Sequence, residues 1–313
     1  MDHAAPDHPE SPGPESRDSG LSLPAGFDPS VLSADRRIGP YRVLDVLGQG
    51  GFGVVYLAEQ ERPLRRQVAL KVIRPGMDSH EVLARFEAER QALSLMNHPG
   101  IAAIHDAGTT PEGRPYFAME LVRGTPITTY ADDHALTRRE RLLVFLDVCD
   151  AVHHAHQKGI IHRDLKPRNI LVKPPEAGPG GGRARVKIID FGIARSLQGR
   201  LTQRTLHTAV NQVLGTPLYM APELARGESP DTTADIYAIG VVAYELLTGV
   251  YPYALDEDAS LIELARQMEA ATPVRPSRHD ATLRGDLDVI LLRALERDRS
   301  RRYQHVGERA RDV

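Results

Sequence analysis

The hydrophobic pattern of this 313-residue chain changes its period once, near Gly124. Before this point, short segments rich in β-branched residues alternate with glycine and proline turns, a pattern typical of strands. After it, apolar residues recur at helical spacing, as in RERLLVFLDVCDAVHHAHQKG, which predicts a long amphipathic helix. This order constrains the chain to an α+β fold with a mostly β first part and a larger, mostly α second part.

The β-rich part contains several predicted strands and one predicted helix. The strands are YRVLDVLG, FGVVYLAEQ, VALKVIRP (68–75), IAAIHDAG and PYFAMELV. Between the third and the fourth strand, SHEVLARFEAERQALSL (79–95) repeats apolar residues at the spacing of a helix. This helix would be the main helix of the smaller part.

The first 36 residues differ in composition from the rest of the chain. They are rich in Pro, Ser, Gly and Asp, and they carry seven carboxylates against one arginine before Arg36. Such a segment buries too little apolar surface to offset its ordering entropy, which predicts a disordered acidic tail at 1–36. The remaining chain divides into a small part, 37–122, and a large part, 123–313.

Charge and hydropathy exclude some classes of partner. With 39 Lys and Arg against 42 Asp and Glu, the net charge of −3 does not favour nucleic-acid binding. The apolar run 236–255 is long enough for a membrane span, but Glu245 interrupts it and Gly249 and Pro252 would end a helix. It predicts a buried core helix and no membrane segment. The single cysteine, Cys149, and a start without signal-peptide features predict a cytoplasmic location.

A glycine-rich segment lies between the first two predicted strands. It has the G-x-G-x-x-G spacing and consists of Gly48, Gln49, Gly50, Gly51, Phe52 and Gly53. In dinucleotide-binding domains a helix follows such glycines directly, whereas here the strand-forming VVYLA follows. A glycine turn between strands lets backbone N–H groups approach a polyphosphate, although an ordinary turn is the alternative.

Lysine is scarce in this chain: there are five lysines among the 39 basic residues. Lys71 lies in an apolar predicted strand, where a buried ammonium group needs a partner. Glu89 on the predicted helix is the candidate, with Glu87 as the alternative. The compact charge of a lysine also suits a contact with phosphate oxygens.

The second part carries several polar motifs in a fixed order. IHRDLKPRN (161–169) is followed by Asp190-Phe191-Gly192, by GTP at 215–217 and by APE at 221–223. Phosphoryl transfer needs a carboxylate to orient the attacking hydroxyl and oxygen ligands for magnesium. Asp164 can supply the first, and Asn169 and Asp190 can supply the second.

With these motifs in this order, the chain resembles the eukaryotic-like (Hanks-type) serine/threonine protein kinases of bacteria, over about residues 41–313. The resemblance implies a bilobed protein-kinase-like fold with ATP in the cleft between the lobes. It also implies transfer of the γ-phosphate of ATP to Ser or Thr hydroxyls of proteins, with Mg²⁺ or Mn²⁺ as cofactor.

The resemblance implies a set of ATP-binding residues around the cleft. Met119 would be the gatekeeper, and the backbones of Glu120 and Val122 would hydrogen-bond the adenine. The other members of the set are Leu47, Gly48, Gln49, Gly50, Gly51, Phe52, Gly53, Val55, Ala69, Lys71 and Glu89. Leu47, Val55 and Ala69 would pack on the adenine ring.

The catalytic roles follow from the same resemblance. Asp164 would be the catalytic base and Lys166 would contact the γ-phosphate. Lys71 would hold the α- and β-phosphates. Asn169 and Asp190 would hold the metal ion.

Four further residues, Thr216, Glu223, Asp235 and Arg302, would support these groups. Lys166 and Thr216 are typical of the serine/threonine branch. Glu223 would pair with Arg302, and Asp235 would brace the backbone of the catalytic loop.

A regulatory site is also implied. Arg163 lies beside the catalytic carboxylate in the sequence and would attract an anion such as phosphothreonine. The loop 190–223 is therefore predicted to be autophosphorylated, with Thr202, Thr205 and Thr208 as candidates. Autophosphorylation would involve self-association of the chain.

The main alternative is a catalytically weak scaffold of the pseudokinase type. Pseudokinases typically lack the equivalent of Lys71, Asp164 or Asp190, and this sequence has all three. A small-molecule kinase of related fold is a further alternative, but such enzymes usually lack the motifs at 215–217 and 221–223. Three histidines at 153, 154 and 156 are interpreted as packing and capping residues and not as a metal site.

Overall fold

The computed structural model describes residues 37–50, 53–73, 95–175, 182–191, 217–253, 266–267 and 270–307. These residues form nine strands and five α-helices in two regions. The first region contains the larger sheet, and the second contains a smaller sheet and the described helices. The predicted α+β fold, β-rich first and helix-rich second, is confirmed. The predicted tail at 1–36 and nearly all of the predicted helix at 79–95 lie outside the described residues.

The larger sheet has six antiparallel strands in the order β1-β2-β3-β4-β6-β5. Their bounds are β1 Arg37–Ile38, β2 Tyr41–Gly50, β3 Gly53–Gln60, β4 Arg66–Ile73, β5 Ile104–Thr109 and β6 Pro115–Glu120. The central strand β4 is buried from Val68 onward, and its side chains alternate between two hydrophobic clusters. Lys71 therefore shares a face with Ala69 and Ile73, the face that joins the main core of the molecule.

The glycine turn connects β2 to β3, as the sequence predicts. Gly50 and Gly53 pair across it, and the pairing of β2 with β3 shifts register twice before the turn. A Cβ atom on Gly53 would lie 2.2 Å from the carbonyl oxygen of Val72, so only glycine fits there. A Cβ atom on Gly48 or Gly50 would instead meet no atom of the described residues within 4 Å. With respect to that part of the chain, these two positions face open space.

The smaller sheet connects the second region to the first. It has three antiparallel strands, β7 Thr125–Pro126, β8 Ile170–Lys173 and β9 Arg185–Ile188. Ile101 was predicted to begin the strand IAAIHDAG, but it forms an isolated parallel bridge with Ile188 of β9. The amide of Ala102 also donates to Ile188 O at 2.9 Å. Because these residues bond to the second region, β5 begins only at Ile104.

The described helices are α1 Ile127–Asp133, α2 Arg138–Gln157, α3 Pro222–Ala225, α4 Thr232–Thr248 and α5 Asp286–Ala294. Thr137 and Glu140 form a capping box that starts α2. Asp231 caps the N-terminus of α4, and Gly249, with φ of 74°, ends it in the left-handed conformation.

Helix α4 contains most of the apolar run noted in the sequence, and nearly all of its side chains are buried. Glu245, the acidic residue within that run, accepts a 2.6 Å hydrogen bond from the hydroxyl of Tyr219. Gly240 lies so close to Ala294 of α5 that a Cβ atom would come within 3.0 Å of the alanine side chain. Among the described residues, none of the helices combines the length and the apolar character that crossing a membrane requires.

Candidate active site

The loop that follows α2 carries the motif residues 162–169, and a buried carboxylate holds its backbone. Asp235, in the first turn of α4, accepts hydrogen bonds from the amides of His162 (2.7 Å, Oδ2) and Arg163 (2.9 Å, Oδ1). Arg163 has a φ of 66°, a left-handed conformation that is unusual for a residue with a side chain. The two hydrogen bonds that Asp235 accepts hold the loop in this conformation.

A histidine from α2 completes the surroundings of Asp235. His156 Nε2 lies 2.8 Å from Asp235 Oδ2. Burial alone would raise the pKa of Asp235, but the hydrogen bond and the charge of His156, together with His162, hold it below its usual value. Asp235 is therefore a carboxylate, and it connects α2, α4 and the loop.

Asp164, Lys166 and Asn169 contact one another at the surface of the cleft. Lys166 Nζ donates to Asp164 Oδ2 at 2.8 Å. Asn169 Nδ2 donates to the carbonyl oxygen of Asp164 at 2.7 Å and to its Oδ2 at 3.1 Å. The side chains of Asp164 and Lys166 remain 21% and 22% exposed, so solvent or a substrate can reach them.

Asp190 lies next to this group, two residues after the end of β9. The amide of Ile189 donates to Asn169 O at 2.9 Å, and Asp190 itself has a φ of 58°. Lys71 of β4 forms an ion pair with Asp190 Oδ1. This ion pair joins the larger sheet to the end of β9, so that Lys71, Asp164, Asn169 and Asp190 belong to one connected arrangement.

His162 is buried beneath this arrangement. Its Nε2 lies 3.1 Å from Ile189 O, its Nδ1 accepts from the amide of Asp164 at 3.3 Å, and its ring contacts Phe191 at 4.5 Å between centroids. Burial lowers the pKa of His162 below its ordinary value, so the ring is neutral at pH 7. His162 thus connects the loop to the residues on either side of Asp190.

At the other end of the cleft, the predicted adenine-binding residues lie around β3, β4 and β6. Ala69 and Met119 are cross-strand partners and are nearly buried, Val55 is half-buried, and Leu47 is exposed. The amide of Glu120 already donates to Ala103 O at 2.8 Å, so a contact from this backbone unit to a ligand would use its carbonyl oxygen. Val122 follows two residues beyond, where the larger sheet has ended.

The predicted pair of Glu223 and Arg302 lies in the core of the second region. Arg302 Nη1 and Nη2 bond Glu223 Oε1 and Oε2 at 2.6 and 2.8 Å, and both side chains are almost completely buried. Arg302 also donates to the carbonyl oxygens of Thr233, Glu296 and Arg297 and lies over the ring of Tyr237. This bidentate pair fixes the position of α3 in the core of the second region.

A pocket lies between the loop 162–169 and α3. Its lining includes Asp164 and Lys166 from the loop and Tyr219, Met220 and Leu224 from the other side. A hydroxyl group that entered it would reach the carboxylate of Asp164.

Several predicted site residues lie outside the described residues, and their predicted roles stay predictions. They are Gly51, Phe52, Glu87, Glu89, Thr202, Thr205, Thr208 and Thr216. The sequence did not indicate the partnership of His156 with Asp235, nor that of Lys173 and Lys187 with Glu120. The scarcity of lysine was a signal for the contacts of Lys173 and Lys187, because these are two of only five lysines in the chain.

The oxygen ligands expected for magnesium fit the arrangement around Asn169. The hydrogen bonds of Asn169 described above use its amide nitrogen, which leaves its oxygen for a cation, and Asp190 adds a carboxylate. Magnesium sites often use one or two carboxylates together with substrate phosphates. Within the described ranges, no group of three or more His, Cys, Asp or Glu residues has the arrangement of a metal site.

A two-region fold that brings together a lysine, an aspartate that is a candidate base and a candidate metal-binding pair is the arrangement of a protein kinase. The family model described as protein kinase domain matches residues 41–306, and the chain belongs to the protein kinase family. This confirms the family resemblance found in the sequence.

Its similar proteins are bacterial serine/threonine-protein kinases. PknB of Mycobacterium tuberculosis is 38% identical over 290 residues, which cover 91% of this chain and 43% of that protein. PrkC of Bacillus subtilis is 34% identical over 285 residues, which cover 90% and 41%. The crystal structure of the M. tuberculosis PknI kinase domain has a TM-score of 0.65 at 28% identity and covers 90% of this chain and 96% of that one. The chain spans about two fifths of the length of these curated relatives.

Proposed function

We propose that this chain is an ATP-dependent serine/threonine protein kinase that transfers the γ-phosphate of ATP to Ser or Thr hydroxyls of proteins. The observation that carries the proposal is the meeting of Lys71, Asp164, Asn169 and Asp190 in one connected arrangement. These residues come from β4, the loop after α2 and the end of β9, so only the folded chain brings them together.

In this proposal Asp164 orients the substrate hydroxyl and accepts its proton as the hydroxyl attacks the γ-phosphorus. The bond that forms joins the hydroxyl oxygen to phosphorus, and the bond that breaks releases ADP. Lys166, whose ammonium group is 2.8 Å from Asp164, stabilises the negative charge of the transferred group. Lys71 would contact the α- and β-phosphates with the ammonium group that it presents to Asp190.

Magnesium, or manganese with the same oxygen preference, would be held by the amide oxygen of Asn169 and the carboxylate of Asp190. When it is bound, the metal neutralises the charge of the phosphates. The nucleotide itself would lie under the glycine turn, with Gly48 and Gly50 facing open space. The adenine would lie between Leu47, Val55, Ala69 and Met119, with backbone contacts at Glu120 and Val122.

The further parts of the proposal concern domains and regulation. The kinase would consist of a small lobe at 37–122 and a large lobe at 123–313, after a tail at 1–36. Phosphorylation of Thr202, Thr205 or Thr208 would supply an anion for Arg163, and self-association would bring two copies together for this reaction. Its partners would be protein substrates in the cytoplasm, where magnesium and ATP are supplied.

The test is phosphate transfer from Mg-ATP to the chain itself and to a generic protein substrate, with detection by mass spectrometry. We expect phosphoserine or phosphothreonine with the wild type and almost none with Asp164→Asn. The matched control is Asp133→Asn, because Asp133 is an exposed aspartate on α1 outside the cleft. The proposal fails if the wild type binds ATP without transferring phosphate, or if phosphotyrosine alone is formed.

A further inference from the structure

The side chain of Glu120 contacts two lysines at the end of the cleft opposite Asp164. Glu120 Oε2 accepts from Lys187 Nζ at 2.7 Å and from the amide of Ala103 at 3.3 Å. Lys173 Nζ lies 3.6 Å from Oε1 of the same carboxylate. We call Glu120, Lys173 and Lys187 the hinge cluster, because Glu120 ends β6 where the chain passes from the larger sheet to the second region.

The hinge cluster joins three segments of the chain. Lys173 ends β8 and Lys187 lies on β9, opposite Leu171. Lys187 Nζ also donates to Ile101 O at 3.1 Å, in the segment that bridges to β9. The carboxylate of Glu120 thus fixes the end of β6 both to the segment 101–103 and to the smaller sheet.

The charges in the hinge cluster favour an ion pair between Glu120 and the two lysines. The pKa of Glu120 lies below its usual value, because the hydrogen bonds from Lys187 and Ala103 and the lysine charges outweigh the effect of burial, which would raise it. Glu120 is therefore ionised at pH 7. Two of the five lysines of the chain contact this one side chain, while arginine serves nearly everywhere else as the basic residue.

The positions of Lys187 and Glu120 in the chain give this contact its consequence. Lys187 precedes Asp190 by three residues, and Glu120 ends β6, directly after Met119. The ion pair between Glu120 and Lys187 therefore restrains the separation of the backbone expected to bind adenine from the carboxylate expected to bind the metal ion. Adenine and phosphates belong to one molecule, so a restrained separation near the span of the bound nucleotide favours both contacts forming together.

We propose that Lys187, with a smaller contribution from Lys173, is a positioning residue for ATP, which acts by holding the side chain of Glu120. This inference rests on the proposed kinase function. Lys187 makes the stronger contact, since its side chain is 17% exposed at 2.7 Å from Glu120, whereas that of Lys173 is 38% exposed at 3.6 Å.

The test compares ATP binding and turnover in lysine variants. We expect Lys187→Met to raise the KM for ATP and the dissociation constant of Mg-ATP by about three- to tenfold, with kcat within about twofold of the wild type. Lys187→Arg should keep the wild-type KM, because a guanidinium can also reach the carboxylate. Lys173→Met should change KM by less than Lys187→Met. Lys158→Met, which removes an exposed lysine at the end of α2, is the matched control.

A second variant keeps the inference testable if Lys187→Met does not fold. Glu120→Gln preserves the shape of the side chain and removes its charge, so it should raise KM in the same range, and adding Lys187→Met to it should raise KM little further. An unchanged KM in both variants, or a fall in kcat at constant KM, overturns the inference. If the wild type transfers phosphate and these variants have the same KM for ATP, only the inference about Lys187 fails. If the wild type binds no ATP, the proposed kinase function fails as well.

Discussion

Two polar networks lie on opposite sides of the catalytic loop, and they differ in exposure and in the kind of partner they use. The cleft network consists of Lys71, Asp164, Lys166, Asn169 and Asp190. The buried frame consists of His156, His162, Glu223, Asp235 and Arg302. Asp164 and Lys166 keep about a fifth of their side chains exposed, whereas those of Asp235 and Arg302 are 1% and 0% exposed.

The residues expected to take part in the reaction are thus different from the residues that hold the loop and the helices in place. The cleft network is held mainly by contacts between side chains, which a ligand can replace, such as that of Lys71 with Asp190. The buried frame also bonds to backbone amides and carbonyls, as Asp235 and Arg302 do. Because a buried charge that loses its partner is costly, changes in the frame should reduce stability, while changes of the more exposed Asp164 and Lys166 in the cleft should reduce turnover alone.

The largest expected effect is on turnover in the cleft. Asp164→Asn should lower kcat by about 10²–10⁴-fold, since a general base is lost, while the midpoint of urea unfolding stays close to the wild-type value. Steady-state kinetics and urea titration of the same preparation test both statements. A variant that transferred phosphate normally would remove Asp164 from its proposed role, and a large loss of stability would contradict the comparison.

In the buried frame, the largest expected effect is on stability. Arg302→Met should reduce the free energy of unfolding by about 3–5 kcal/mol, because the carboxylate of Glu223 is left buried without its ion-pair partner. Urea unfolding followed by circular dichroism measures it. Adding Glu223→Leu should recover part of the loss. If the single and double variants were equally unstable, the uncompensated charge would not be the cause.

Asp235→Asn should affect both quantities, since Asp235 belongs to the frame but holds the loop of the cleft. The amide cannot accept three hydrogen bonds as the carboxylate does, which should cost about 1–3 kcal/mol of unfolding free energy. We expect kcat to fall while the KM for ATP changes little. Loss of stability with full turnover in the folded fraction would show that the loop conformation does not depend on Asp235.

The smallest expected effect is a dependence of stability on pH. The pKa of His162 is lower in the folded chain than its ordinary value of about 6.5, so the unfolded chain binds more protons in this range. The contribution of His162 to the free energy of unfolding is fully present above about pH 6.5. It is lost as the pH falls toward the pKa of His162 in the folded chain, at no more than about 1.4 kcal/mol per pH unit. Thermal unfolding of the wild type and of His162→Gln between pH 5 and 7.5 measures it. The slope should be smaller in the variant, and equal slopes would assign the dependence to other groups.

The sequence predicted the elements that depend on local pattern. The apolar run in β4, the helical spacing of α2 and the glycine after α4 were sufficient to place these elements within a few residues. The predicted strand IAAIHDAG began three residues too early, because β5 begins at Ile104. The residues before it are apolar enough for a strand, and only the tertiary contact with Ile188 shows that they bond elsewhere.

For the site, the sequence indicated the contacts that the family motifs carry and missed those outside the motifs. The pair of Glu223 and Arg302 and the hold of Asp235 on the loop were predicted from the resemblance and are present in the structure. The contact of His156 with Asp235 joins residues 79 positions apart and has no local pattern. The bonds of Lys187 and Lys173 to Glu120 were missed for the same reason.

The distribution of lysine makes this protein unusual as an object of chemical labelling. Lys71 and Lys166 contact Asp190 and Asp164 of the candidate site, Lys173 and Lys187 contact Glu120 in the hinge cluster, and the fifth lysine, Lys158, lies at the end of α2. A reagent that acylates primary amines usually reports on the whole surface of a protein. In this protein its reaction with lysine would report mainly on the candidate site and the hinge cluster, with Lys158 as the internal reference.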